Sequence, residues 1–431
     1  MRCTSRVAGR DAAGRTPSRR SWIPVVVGSG IVAVLAAGAA TVALASGGPH
    51  RVARNEAGTI SSSAPTKPAT TKANAVVALF GANSSAPVAR VTPAPGSDTS
   101  APNGAITITF NRPVSKVLGS TPPTISPAVP GEWSQPGPYK VIFTPTGFGL
   151  SPGSPVTIGF DRPVTVVAAS ASKAVVTQTA AVLGYSFDVA PASMLRLEQI
   201  LAQLQYLPLT FTPASGVALP TTLDGEVATM TQPLAGTFSW RWATTPASLQ
   251  AQWTVGSANV LVQGALMDFD SVRGVYNGYQ MERESVAQMA DPATWQALLQ
   301  AAAADQVDPN AYSYVSVTKA SPETLTLWQN GAVILTSRTN TGIPSRPTED
   351  GTFPIYVRYI EYYMNGTNPN GTSYHDLVHW INYFNGGDAV HGFVRSSYGS
   401  PQSLGCVELP VATAQVAYSD LAIGDLVTVS G

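Results

Sequence analysis

The sequence has few charged residues and no excess of positive charge. Asp, Glu, Lys and Arg make up 12% of the 431 residues, against roughly 25% in an ordinary soluble domain. The 25 basic and 25 acidic residues cancel, so the chain lacks the basic character that nucleic-acid binding requires. Because 44% of the residues are apolar, the chain can form cores, and its length predicts two or three domains.

The charges are unevenly distributed at the N-terminus. The first 20 residues contain six arginines and one acidic residue, and the segment from Trp22 to Ala45 is uncharged for 24 residues. Such a segment is about long enough to cross a ~30 Å hydrocarbon layer as a helix. We therefore predict a cytoplasmic basic tail at 1–21, a transmembrane anchor at 22–45 and export of the chain that follows across the cytoplasmic membrane. Cleavage of a secretory signal after Ala45, or a buried core helix, are the alternatives.

The near absence of cysteine excludes a disulfide framework. Cys3 and Cys406 are the two cysteines, and the predicted membrane segment separates them. A single thiol in an exported domain is a buried structural residue, an intermolecular link or a reactive group.

Between the membrane segment and the C-terminus, the composition changes twice. Residues 46–87 are rich in Ser, Thr, Ala and Pro and predict a flexible linker. Residues 88–189 contain short alternating runs such as Ile106–Phe110, separated by Pro- and Gly-rich turns, which predict a small β-sandwich.

Residues 190–309 are predicted to be a small helical region. Apolar residues at 197, 200, 201 and 204 follow helical spacing, and Asp291 followed by Pro292 is a helix start. The two ends of this region resemble a peptidoglycan-binding-like helical module, with residues 208–262 as a long insertion. Three-helix packing without any ligand is the alternative.

The last segment, 310–431, contains the reactive side chains. A meander of hairpins is predicted, with Asn385-Gly386-Gly387-Asp388 as a tight turn and His391 on the returning strand. Three of the four histidines and the exported thiol lie within 32 residues. These four are His375, His379, His391 and Cys406.

One explanation of the cluster is a zinc site formed by His375 and His379. Their spacing is similar to that of the His-Glu-x-x-His zinc motif, with Asp376 beside the first imidazole. The following residues, Trp380 to Phe384, favour a strand, in which residues four apart are ~13 Å apart and cannot share one ion. We therefore expect no metal and two solvated histidines there.

The other explanation pairs His391 with Cys406. A thiol is mostly protonated at neutral pH and needs an adjacent base to become a nucleophile. The backbone carbonyl of Gly392 is available to accept the second imidazole proton and fix the tautomer. The backbone N–H groups of residues 404–406 are candidate donors to an oxyanion.

The segment from His391-Gly392 through Ser403-Leu404-Gly405-Cys406 to the closing strand after Ile423 resembles the YkuD-type L,D-transpeptidase catalytic domain. The resemblance covers residues 312–431 and implies a mostly β fold without a cofactor. It further implies a cysteine nucleophile that is acylated by a peptidoglycan tetrapeptide stem, releases D-Ala and forms 3→3 cross-links. The preceding anchor and Ig-like domain are similar to those of actinobacterial members. The predicted fold class is therefore mainly β, with one transmembrane helix and a small helical region.

The resemblance assigns roles to individual residues. Cys406 is the expected nucleophile, His391 the base and Gly392 the carbonyl that orients it, while Ser403 and Gly405 shape the oxyanion loop. Three further residues, Met364, Tyr374 and Leu404, are expected to line the substrate pocket. Peptidoglycan stem peptides are the implied partners, and carbapenem-type β-lactams the implied inhibitors.

Two departures from the family pattern keep a second function open. Leu404 and Glu408 stand where the family usually has a histidine and a cationic or amide residue. Glu408 beside a thiolate raises the thiol pKa unless a cation screens it. A non-catalytic protein that binds the cell wall is therefore the main alternative, and a zinc hydrolase the third.

Overall fold

A computed structural model describes Phe80 and residues 86–172, 175–176 and 179–431. The predicted cytoplasmic tail, the membrane segment and most of the linker lie outside these residues. Among the helices that are described, none is both long and apolar enough to cross a bilayer.

The first folded region contains seven strands in one sheet. In chain order these are β1 (Val88–Thr92), β2 (Ile106–Phe110), β3 (Thr124–Ser126), β4 (Gly131–Gly137), β5 (Lys140–Pro145), β6 (Pro155–Ala168) and β7 (Ala181–Asp188), with a short helix α1 (Val114–Val117) after β2. The sheet order is β3-β6-β1-β2-β5-β4, and β7 also pairs with β6. The 14-residue β6 pairs with β3 through its first half, with β1 through its second half and with β7 through both, so this one strand joins the parts of the sheet.

The helical region follows, and its elements are mostly short. They are α2 (Met194–Gln203), β8 (Leu209–Pro213), α3 (Leu223–Thr229), β9 (Gly236–Trp240), α4 (Ala247–Gln250), α5 (Val260–Val272), α6 (Gly278–Met281), α7 (Val286–Met289) and α8 (Pro292–Ala303). The predicted start of α8 is confirmed, because Asp291 Oδ1 accepts a hydrogen bond from the Thr294 N–H at 2.7 Å. Residues 208–262, expected to be an insertion, form the β8–β9 pair and two short helices.

The C-terminal region consists of two sheets and one helix. Its elements are β10 (Ser313–Thr318), β11 (Thr324–Gln329), β12 (Ala332–Arg338), β13 (Gly351–Pro354), β14 (Val357–Thr367), β15 (Ser373–Asn385), β16 (Asp388–Gly392), β17 (Val407–Leu409), α9 (Val411–Asp420) and β18 (Leu426–Ser430). The orders are β12-β11-β10-β18-β13 and β14-β15-β16-β17. The mainly β fold class is thereby confirmed, and the predicted tight turn joins β15 to β16.

Two hydrophobic cores hold the C-terminal half together. Val315, Val390 and Val427, from three different strands, belong to the core of the C-terminal region. The core of the helical region extends into the C-terminal sheets, because Tyr314 and Tyr356 are among its fully buried members. The helical region is therefore packed against the region that contains the reactive residues.

Candidate active site

His391 is held in a neutral form with a defined tautomer. The side chain, on β16, is 3% exposed, and burial is the main cause that lowers the pKa of His391. Its Nδ1 lies 3.2 Å from the carbonyl oxygen of Gly392. Because a carbonyl only accepts, Nδ1 carries the proton and Nε2 is left as the basic nitrogen.

Cys406 lies on the same sheet face as His391. β16 and β17 pair in parallel, with Val390 opposite Val407 and His391 opposite Glu408. Cys406, one residue before Val407, is therefore beside Ala389. Cys406 itself precedes β17, and continuing the strand alternation by one residue assigns its side chain to the face of Ala389 and His391.

The local packing around Cys406 agrees with this register. Cys406 is partly exposed and packs against a small buried cluster that includes Ala389 and Val378. Its thiol donates to the carbonyl oxygen of Gly387 at 3.8 Å. Tyr383 packs against the same cluster, and burial together with nearby Cys406 raises the pKa of its phenol. Sequence reasoning missed Tyr383, which pairs with Ala389 across β15 and β16.

The loop before Cys406 is fixed by Ser403 and Gly405. Ser403 Oγ donates to the Cys406 carbonyl at 2.5 Å and accepts from the Gly405 N–H at 3.2 Å. Thr348 Oγ1 donates to the Gly405 carbonyl at 2.7 Å. At φ +129° Gly405 has a conformation that L side chains rarely adopt, and a Cβ there would collide with Asp388.

These contacts correct one expectation about the oxyanion donors. The Gly405 N–H is occupied by Ser403 Oγ, so in this conformation it does not point to a substrate oxyanion. Gly405 contributes the shape of the loop.

Gly392 is required for packing as well as for its carbonyl. A Cβ at this position would lie 3.0 Å from Val411 Cα and 3.1 Å from Ala414 Cβ, both on α9. Contacts this close leave little room for a side chain. The glycine thus lets α9 approach the strand that carries His391.

Glu408 has a counterion that sequence reasoning did not find. Arg395 donates to both carboxylate oxygens, from Nε at 2.8 Å and from a terminal nitrogen at 2.7 Å. Glu408 is 4% exposed, whereas 30% of the Arg395 side chain remains accessible to water. A bidentate arginine is the strongest ordinary partner of a carboxylate. The sequence does contain one indication of this ion pair: a glutamate two residues after Cys406 predicts a cation close to it.

The residues of the zinc alternative do not converge. His375 and His379 both lie on the extended strand β15. His375 stacks on Tyr363 at 4.4 Å, whereas His379 Nδ1 lies 3.1 Å from Glu361. In the part of the chain that the structure describes, no group of three metal-ligating side chains is found.

Comparison with known proteins agrees with this geometry. The family model of the L,D-transpeptidase catalytic domain, YkuD, matches residues 312–429. The C-terminal region is a YkuD-type L,D-transpeptidase catalytic domain. No curated protein matches the chain in sequence.

Solved structures of L,D-transpeptidases match the chain at low identity. An L,D-transpeptidase from Mycobacterium smegmatis is 13% identical, with 80% of this chain and 99% of that chain covered and a TM-score of 0.27. L,D-transpeptidase 3 from Mycobacterium tuberculosis, solved with a faropenem-derived adduct, is 11% identical, covers 80% and 98%, and has a TM-score of 0.26. The catalytic domain of the E. faecium L,D-transpeptidase is 23% identical, covers 27% and 95%, and has a TM-score of 0.25.

The predicted pocket residues of the transpeptidase domain lie on two elements. Met364 and Tyr374 are on the β14–β15 hairpin, opposite Asp376 and Gly366 respectively. By strand alternation both belong to one face of that hairpin. Met364 packs against the same cluster as Cys406, whereas the Tyr374 ring lies against Gly366. Leu404 is half-buried in the loop before the nucleophile.

Proposed function

We propose that the chain is a cysteine L,D-transpeptidase acting on peptidoglycan stem peptides. The observation that supports the proposal is the buried imidazole of His391, bonded through Nδ1 to the Gly392 carbonyl, on the strand that pairs with β17 directly after Cys406. This arrangement supplies a nucleophile with a base whose pKa burial keeps low.

In the first half-reaction, Cys406 transfers its thiol proton to Nε2 of His391. The thiolate attacks the carbonyl carbon of the third residue of a tetrapeptide stem. The bond to D-Ala then breaks, and the departing amine takes the proton from His391. A thioester to Cys406 remains.

In the second half-reaction, an amine of a neighbouring stem attacks the thioester while His391 accepts its proton. The carbon–sulfur bond breaks, and His391 returns the proton to the sulfur of Cys406. The product is a peptide bond in a 3→3 cross-link. Water in place of the amine gives carboxypeptidase activity instead.

The remaining predictions on the N-terminal part complete the proposal. Residues 22–45 anchor the chain in the cytoplasmic membrane, or serve as a signal cleaved after Ala45, and 46–87 form the linker. Residues 88–189 are an Ig-like spacer, and 190–309 a region that contacts the wall. In this arrangement residues 310–431 face the cell wall.

The direct test is intact-mass measurement of the protein with a disaccharide-tetrapeptide. We expect a covalent adduct that lacks the mass of D-Ala, and a separate adduct with a carbapenem. Cys406→Ala abolishes both while thermal unfolding shows an intact fold. Wild-type protein that sediments with cell-wall sacculi but forms neither adduct would establish the non-catalytic alternative.

A further inference from the structure

The turn between β15 and β16 contacts the sulfur of the proposed nucleophile. Gly387, within this turn, provides the carbonyl that accepts the Cys406 thiol at 3.8 Å. The position of the Gly387 carbonyl therefore influences where the sulfur points. Glycines in a turn confer no stiffness of their own, because they have the most backbone freedom.

Both backbone groups of Gly386, the preceding residue, are held from outside the turn. Its N–H donates to Glu282 Oε1 at 2.9 Å, and its carbonyl accepts from the Tyr356 hydroxyl. Asn385 adds a third contact, to Glu349 at 3.1 Å. Because the turn is short, fixing Gly386 also fixes Gly387.

Glu282 belongs to the helical region, 104 residues before Gly386. It follows α6, and the segment around it is docked on the transpeptidase domain. The Tyr276 hydroxyl donates to the Tyr356 carbonyl at 2.7 Å, and the Tyr279 and Tyr359 hydroxyls lie 3.0 Å apart. Gly278 approaches the Tyr356 carbonyl so closely that a Cβ would not fit. The carboxylate of Glu282 is thus presented from an anchored segment.

We propose that Glu282 is a positioning residue for the nucleophile, acting on Cys406 through the backbone of Gly386 and Gly387. The helical region is then part of the catalytic machinery, in addition to any contact with the cell wall. This inference rests on the proposed function, since it assigns Glu282 a part in the acylation of Cys406.

The test is saturation kinetics of acylation by a carbapenem on the full chain. Glu282→Ala removes the acceptor of the Gly386 N–H. We expect the limiting first-order acylation constant to fall roughly tenfold, about 1.4 kcal/mol of barrier, with an unchanged half-saturation concentration. Glu282→Gln keeps an acceptor oxygen and restores most of the rate. A merely structural role would lower the folded fraction of the alanine variant, which thermal unfolding measures separately.

Glu284→Ala is the matched control. Its carboxylate, on the same segment, accepts from Gln280 at 2.7 Å, so this change leaves the Gly386 contact in place. We expect wild-type acylation. A wild-type rate in Glu282→Ala, or an equal loss in Glu284→Ala, overturns the inference.

A second readout separates this inference from the proposed function. Alkylation of Cys406 by iodoacetamide, followed by mass mapping to exclude Cys3, needs no transpeptidase activity. We expect slower alkylation in folded Glu282→Ala than in the wild type, because a sulfur that leaves its fixed position beside the base is deprotonated less readily. If the wild type is not acylated by a carbapenem, the proposed function fails. Unchanged alkylation in Glu282→Ala contradicts the positioning role in either case.

Discussion

Arg395, from the segment that follows β16, forms a bidentate ion pair with Glu408 on β17, close to the proposed nucleophile and base. Glu408 is paired across the strands with His391, and its charge tends to raise the pKa of His391 whereas that of Arg395 lowers it. The two charges act in opposite directions, and burial is the largest cause of the lowered imidazole pKa. The unusual Glu408 is therefore compatible with a neutral base.

Removing Arg395 should lower the free energy of unfolding, because Glu408 then has lost its counterion. Arg395→Leu leaves a buried carboxylate unpaired, and we expect a loss of about 3 kcal/mol in unfolding free energy. The pKa of His391 rises because the compensating cation is gone, so the acid limb of the acylation rate moves to higher pH. The measurements are denaturant unfolding and the pH profile of carbapenem acylation.

The control for Arg395→Leu is the double variant Arg395→Leu with Glu408→Gln. Because it removes both charges, most of the lost unfolding free energy should be regained, and the acid limb of the acylation rate should return to the wild-type pH. If single and double variants share one pH profile, the effect does not pass through Glu408.

The nucleophile loop offers a second test at Gly405. Gly405→Ala adds a Cβ that collides with the Asp388 carboxylate, at a φ of +129° that L side chains rarely adopt, so either that carboxylate or the loop must move. A displacement of about 1 Å near a reacting group can cost roughly 100-fold in rate, and we expect a loss of that order in carbapenem acylation.

Gly371→Ala is the control for backbone strain. Gly371 has φ +87° in the β14–β15 connection, and no atom lies within 4 Å of its added Cβ. It carries a similar conformational cost without the collision. Equal losses of acylation in both variants would attribute the effect to strain in general.

The difference between what the sequence predicted and what it missed follows from the range of the contacts. The bond from His391 to the Gly392 carbonyl joins adjacent residues, so the sequence alone suggested it. Arg395 and Glu408 are 13 residues apart, and they meet because a segment without regular structure folds back. The Glu282 contact to Gly386 depends on docking between regions, which no local pattern encodes.

The same reasoning applies to the fold. Alternating runs and tight turns predicted the strands of the C-terminal region, because hairpin signals are local. β8 and β9 pair across 22 intervening residues, and such a connection has no turn signature. Residues 208–262 therefore read as an insertion, although they contain regular elements.

A pH dependence of stability is expected from Asp268 on α5. Burial, followed by the nearby Asp308 and Asp425 carboxylates, raises the pKa of Asp268 to about 9. A raised carboxyl pKa favours the folded state below the unfolded pKa of about 4. This contribution is lost as the pH rises towards 9. The midpoint temperature of wild-type unfolding should therefore decrease as the pH is raised from 5 to 9.

Asp268→Asn should flatten that dependence, because the amide is neutral throughout and still has a hydrogen to donate to Asp308. Asp161→Asn, at an exposed position on β6, is the matched control and should follow the wild type. Parallel curves for wild type and Asp268→Asn, recorded by circular dichroism at each pH, would show that Asp268 does not carry the effect.

The buried ion pair of Arg196 and Glu226 should control the stability of the helical region. Both side chains are fully buried. Within the described part of the chain, Arg196 Nε and Glu226 Oε1 find no hydrogen-bond partner. Arg196→Leu leaves the Glu226 charge unpaired and should cost about 3–5 kcal/mol. Replacing both residues by leucine should restore the unfolding free energy lost in Arg196→Leu. An ion pair with unsatisfied hydrogen-bonding groups offsets little of the free energy needed to remove its charges from water.

This pair also tests the coupling between the two regions. If Glu282 positions Cys406, melting of the helical region in Arg196→Leu should reduce carbapenem acylation at the same temperature. Circular dichroism of the helices and acylation followed by mass spectrometry should then give coincident midpoints. Acylation that persists after the helices have melted would show that the transpeptidase domain positions its nucleophile alone.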